Sequence, residues 1–112
     1  MADSEQKVTQ HVAAFNVAVE SGEWGRFAER FAADAVMRFT NAPAGPFRGR
    51  AEIARGYAEQ PPDQTMEILD ISPAGRTDTV RFAWASGATG TMELTWREQL
   101  VSELAITFDP GS

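Results

Sequence analysis

His11 is the one histidine of the chain, and it stands beside Val8, Val12 and Phe15 at helical spacing, on the face that a first helix would bury. An unperturbed imidazole titrates near pH ~6.5 and can both take and give a proton around neutrality, which makes His11 the first candidate for acid–base chemistry. The same position suits a helix histidine at the core margin, bonded to a carbonyl or to water. Asn41 is the second candidate: it is the polar member of the row Ala35, Met37, Phe39, Asn41, where it could donate a hydrogen bond to a ligand carbonyl. It equally suits a strand-ending residue that caps the turn after it. Around these two, Phe15, Trp24, Met37, Phe39, Tyr57, Trp84, Met92 and Trp96 are of the kind that wall an apolar small-molecule pocket, and also of the kind that fill a core. Other chemistries lack their residues. Cysteine is absent, one histidine without an acid cluster gives too few metal ligands, and no serine stands in a Gly-x-Ser-x-Gly context.

These side chains need elements to position them. Val8, Val12, Phe15 and Val19 recur on one helical face, so a first helix runs to about Ser21; Ser21-Gly22 breaks it, and Trp24, Phe27, Ala28 and Phe31 begin a second that ends near Ala32-Ala33-Asp34. Alternation from Ala35 to Asn41 predicts a strand, and the Pro- and Gly-rich run Asn41 to Pro46 predicts a loop. Ala51, Ile53, Ala54, Tyr57 and Ala58 predict a third helix, stopped by Pro61-Pro62 because proline lacks the amide a helix needs. Four further strands follow over Gln64–Ile71, Thr79–Ser86, Thr89–Arg97 and Leu100–Asp109, parted by Pro73-Ala74-Gly75, by Gly87 and Gly90, and by a tight turn at Glu98-Gln99. Asp3–Lys7 and Asp109–Ser112 read as frayed tails.

Side chains two apart share a face of a sheet, so the strands sort into two surfaces. Val80, Phe82 and Trp84, then Met92, Leu94 and Trp96, then Leu104, Ile106 and Phe108 fall on the side that meets the helices. Arg81, Ala83 and Ala85, then Thr91, Glu93, Thr95 and Arg97, then Val101, Glu103 and Ala105 fall on the other. On this reading the inner face holds no carboxylate, and the outer face can stay wet or pair with its own copy.

Glu20-Ser-Gly-Glu-Trp24, Phe31-Ala-Ala-Asp-Ala35, Pro46-Phe-Arg-Gly-Arg-Ala-Glu-Ile53 and Ile106-Thr-Phe-Asp109 stand within the order helix, helix, strand, loop, helix, meander. With these motifs the chain, over nearly its whole length, resembles the NTF2-like superfamily, with its SnoaL-like polyketide cyclases and ketosteroid isomerases. It implies an α+β fold in which three N-terminal helices pack on a cone-shaped, curved antiparallel sheet, the cystatin-like α+β barrel, around a deep pocket. It also implies a homodimer joined through the outer sheet face. The isomerases' tyrosine donor falls near Phe15, their base near Phe39 and their protonated aspartate near Met92, so all three roles are vacant here.

Composition bounds the rest. A chain of 112 residues supports one core, so residues 1–112 are expected to form a single domain. The net charge of −6, with its arginines scattered, argues against nucleic acid as a partner, and no apolar run approaches the ~20 residues of a membrane span. A cytoplasmic chain without a cofactor or metal is expected. Three functions stay open: a binder of a hydrophobic small molecule; an isomerase, cyclase or dehydratase acting on a hydrophobic carbonyl compound through His11; and a non-catalytic dimeric interaction module.

Overall fold

Nineteen residues from Asp3 to Ser21 form helix α1 in a computed structural model that describes residues 3–40 and 45–109. Val8, His11, Val12, Phe15 and Ala18 are its buried stripe, the spacing that puts one helical face on a core. The helix begins earlier than the periodicity implied. Asp3–Lys7 is helical, and Lys7 is tied down by donating to the Glu98 carbonyl at 3.3 Å and by lying over the Trp96 ring.

Helix α2 (Trp24–Ala28) is shorter than expected, and strand β1 (Phe31–Thr40) starts where a helical end was predicted. Phe31 fits both the helical stripe and a strand, and a nonlocal bond decides: the Val101 amide donates to the Arg30 carbonyl, placing Phe31 opposite Val101. A two-residue strand β2 (Phe47–Arg48) follows, with helix α3 (Arg50–Glu59) and strands β3 (Met66–Ala74), β4 (Thr77–Trp84), β5 (Thr89–Arg97) and β6 (Leu100–Phe108). The sheet order is β2-β1-β6-β5-β4-β3, antiparallel throughout except for the parallel pair β1–β6. It is curved and unclosed, with the helices over its inner face, an α+β architecture. No helix of the described residues is long and apolar enough to cross a membrane.

Bulges bend the strands, since each extra residue kinks and twists its strand locally. One lies in β1 between Phe31 and Val36, one in β3 between Ile68 and Asp70, and one on β6 opposite the Thr95–Trp96 step. The first is splinted by α3: the Arg50 guanidinium donates twice to the Phe31 carbonyl, at 2.9 and 2.8 Å, and the Gly49 amide donates to the Ala35 carbonyl at 2.7 Å. The β6 bulge also corrects the sorting of faces. Val101, expected outside, is fully buried, because the extra residue at Ser102 returns its neighbour to the inner side. The remaining inner-face assignments of β4, β5 and β6 agree with burial, and Glu93 is exposed.

Pro73 and Ala74 lie in β3 rather than in a turn. β3 is an edge strand, where proline's missing donor breaks no ladder bond, and the reversal moves to Gly75-Arg76. Strand β4 therefore starts two residues early, which brings Asp78 into the alternation. Asp109 is likewise no frayed end: it accepts from the Thr89 hydroxyl at 2.6 Å and from Arg81 at 3.1 Å on the outer face.

Helix α1 is docked on the sheet by Asn16, whose amide copies a peptide group. Its Nδ2 donates to the Met66 carbonyl at 3.0 Å and its Oδ1 accepts from the Met66 amide at 2.8 Å. Asn16→Ala removes both partners from a half-buried peptide and is expected to cost about 1–3 kcal/mol, read as a lowered urea midpoint at neutral pH. An unchanged midpoint would contradict the docking role.

Candidate functional site

The curvature leaves a gap that the helices do not fill. A cavity of about 210 Å³ lies between α1, α3 and the inner face of the sheet. Phe15 of α1, Met37 of β1, Tyr57 of α3, Met66 of β3, Met92 of β5 and Leu104 and Ile106 of β6 form its buried wall. Phe39, Phe47, Trp84 and Phe108 are half-buried and mark the side on which it opens, with Gln60 and Pro62 at that rim.

His11 borders this cavity and is 3% exposed. Its ring sits among Phe27 at 5.1 Å, Phe31 at 5.7 Å and Trp96 at 6.3 Å between centroids, and its Nδ1 is buried with no partner among the described residues. Burial in this apolar nest pushes the imidazole down to about 3, with the Arg30 charge acting in the same direction. At neutral pH the ring is therefore uncharged. A neutral imidazole offers one donor and one acceptor, whereas it has no proton to give as an acid and is a weak base. Tyr57 stacks on Trp24 at 4.7 Å, and its burial raises the phenol above its usual range.

The sequence candidates divide accordingly. Phe15, Met37, Phe39, Tyr57, Trp84 and Met92 come together with His11 around the cavity. Trp24 and Trp96 do not line it. Trp24 lies behind Tyr57, and Trp96 lies behind His11, because an inner-face residue near the end of a strand packs under the helix rather than facing the gap. Asn41 falls outside the described residues. Phe47, Gly56, Gln60, Pro62 and Met66 belong to the wall without having been singled out. Met66 could have been found, since it sits two residues before Ile68 on a strand. The others depend on how the chain after β1 folds back. The three positions matched to the isomerase set are Phe15, Phe39 and Met92, all in the cavity wall, where none of them supplies a base or an oxyanion donor.

One carboxylate does stand on the inner face, against expectation. Asp78 is 1% exposed; its Oδ2 accepts from the Trp96 indole Nε1 at 2.9 Å, and its Oδ1 is buried without a partner among the described residues. It was missed because the strand was expected to start at Thr79, two residues too late. Asp78 is not part of the cavity wall. It holds Trp96, whose ring meets that of His11 edge to face.

The SnoaL-like domain family matches residues 8–102. No curated protein matches the chain. Among solved structures it is similar to an NTF-2 like protein of unknown function from Burkholderia xenovorans LB400, at 17% identity and TM-score 0.71, covering 97% of this chain and 88% of that one. It is also similar to a protein with a ketosteroid isomerase-like fold from Catenulispora acidiphila DSM 44928, solved in complex with trimethylamine, at 18% identity and TM-score 0.74, covering 91% and 87%. A third, an NTF2-like protein of unknown function from Cytophaga hutchinsonii ATCC 33406, has 11% identity and TM-score 0.75, covering 96% and 90%. At these identities the likeness establishes the fold.

The buried imidazole makes stability depend on pH. Its folded value lies below the unfolded one, so between about pH 3 and pH ~6.5 the unfolded chain binds a proton that the folded one refuses. Stability is therefore full above pH ~6.5 and falls on acidification, by up to about 1.4 kcal/mol per pH unit for this one proton. In His11→Leu that component should vanish, leaving the parts due to groups both proteins share, such as Asp34 and Asp109. Urea unfolding of the two proteins from pH 4 to 7 checks this, and parallel pH profiles would refute it.

Proposed function

The chain belongs to the SnoaL-like domain family, and from that premise we propose that it binds a small, neutral, apolar molecule in the cavity, with the His11 imidazole as its hydrogen-bonding partner. The observation that carries this reading is a wall of aromatic and thioether side chains around one buried imidazole whose Nδ1 has no partner among the described residues. Apolar pockets with few polar groups bind by excluding water, and the rare polar group orients what enters. A buried group left unpaired costs free energy that a ligand carrying the matching donor or acceptor recovers.

Size narrows the ligand. A dry protein cavity of roughly 150 Å³ takes up benzene. At about 210 Å³ this one suits one or two rings and is small for a fused four-ring skeleton. The alternative, catalysis on a hydrophobic carbonyl compound, asks His11 to move a proton near neutrality, and the lowered imidazole opposes that.

2-Naphthol is a suitable probe, having two rings and one hydroxyl. It is expected to bind saturably, read by calorimetry or by quenching of Trp84 at the cavity wall. Leu104→Trp, which fills the gap, should abolish binding in a protein that still unfolds cooperatively. His11→Leu should weaken it about tenfold, the worth of one buried hydrogen bond. Absence of saturable binding to the folded protein, or undiminished binding in Leu104→Trp, would sink the proposal.

A further inference from the structure

Three rings on the open side of the cavity share one orientation. Phe39 and Phe108 are parallel to within 1° with centroids 6.0 Å apart, and Phe108 and Trp84 are within 22° at 6.4 Å. They come from three different strands, β1, β6 and β4, so no local rule aligns them. The row is held at both ends by a perpendicular phenylalanine. Phe82 meets Trp84 at 84° and 5.2 Å, and Phe47 meets Phe39 at 89° and 6.2 Å.

Each of those two buttresses rests on a glycine. A Cβ at Gly90 would lie 2.7 Å from the Phe82 ring and 2.8 Å from the Thr107 carbonyl oxygen, and a Cβ at Gly56 would lie 2.7 Å from the Phe47 ring. Any side chain at either place would push its phenylalanine off and release the ring it braces. Both glycines serve close approach, since neither has a positive φ. The row, its two braces and their two seats thus form one assembly in which the ring planes are set before any ligand arrives. Aromatic faces and edges interact beyond what buried area supplies, by amounts that depend on ring geometry, whereas a saturated skeleton gains from area alone.

Resting on the binding function proposed above, we infer that Phe39, Phe108 and Trp84 determine specificity: they make the cavity select flat, conjugated ring systems over saturated ones of the same carbon skeleton. The chemical class is a one- or two-ring aromatic compound with a single hydroxyl or carbonyl group for His11. Preorganisation carries the selectivity, because rings already fixed in a common orientation lose little freedom when a flat molecule lies against them.

The test compares 2-naphthol with decahydro-2-naphthol, which has the same skeleton and hydroxyl but no π-system, by calorimetry on the full chain. The aromatic compound is expected to bind about tenfold more tightly, the worth of roughly two ring contacts. The ratio should fall to about threefold or less in Phe108→Leu and also in Gly56→Ala, which displaces a brace without removing a ring of the row. Equal affinities in the native protein overturn the inference while leaving the binding function standing. A ratio that persists in both folded variants overturns the role of the row. If neither compound binds, the binding function fails with it. Should either variant not fold, Phe39→Leu takes its place as the test of the row, and the ratio in the native protein still tests the selectivity itself.

Discussion

Two guanidinium hydrogen bonds from Arg50 to the Phe31 carbonyl carry more of this architecture than their number suggests. Strand β1 leaves its register between Phe31 and Val36, and a carbonyl thrown out of a ladder in a half-buried place needs a partner. Arg50 provides it from the first turn of α3, in the fork geometry that lets one side chain give two bonds. The same contact ties α3 to the irregular strand. From there α3 sends Gly56 and Tyr57 to the cavity, with Gln60 just past its end, while β1, resuming its pairing with β6, sends Met37 and Phe39. Hollow and walls thus share one anchor.

The hollow is apolar by construction, yet a histidine and an aspartate are buried on its side of the sheet, and their surroundings differ. His11 is surrounded by rings and stays neutral, which avoids the cost of a charge in a low-dielectric place. Asp78 is given the Trp96 indole as donor. Trp96 joins them, one edge on the carboxylate and its ring against the imidazole, so that the inner-face carboxylate and the cavity histidine are linked through an aromatic side chain rather than by a direct bond.

Much of this could be read from the chain as written. Alternation in the C-terminal half assigns Val80, Phe82, Met92, Leu94, Leu104 and Ile106 to the inner face because a strand has period two wherever it is regular. The pattern misled where regularity ends. Val101 is inside because a bulge on β6 shifts the count by one, and a bulge leaves no mark in residue types as common as Val, Ser and Glu. Phe31 satisfied a helical and a strand pattern at once, and only a hydrogen bond from Val101, seventy residues away, separates them. Asn16 carries no signal in the sequence, since nothing local reveals that the Met66 peptide will be waiting for it.

By itself the sequence determined the class of each main element, the order helix, helix, strand, helix, meander, and the apolar character of the surface enclosed between helices and sheet. Those follow from periodicity and from the chemistry of single residues. Tertiary structure alone decided that this surface encloses a gap, that His11 borders it as a neutral ring, that Trp24 and Trp96 stand behind its wall, and that an acid from the start of β4 is buried on the inner face outside that wall. The physical reason is that enclosure, desolvation and ring orientation are properties of residues far apart in the chain, set by bulges, strand register and close approach at Gly56 and Gly90, none of which has a local signature.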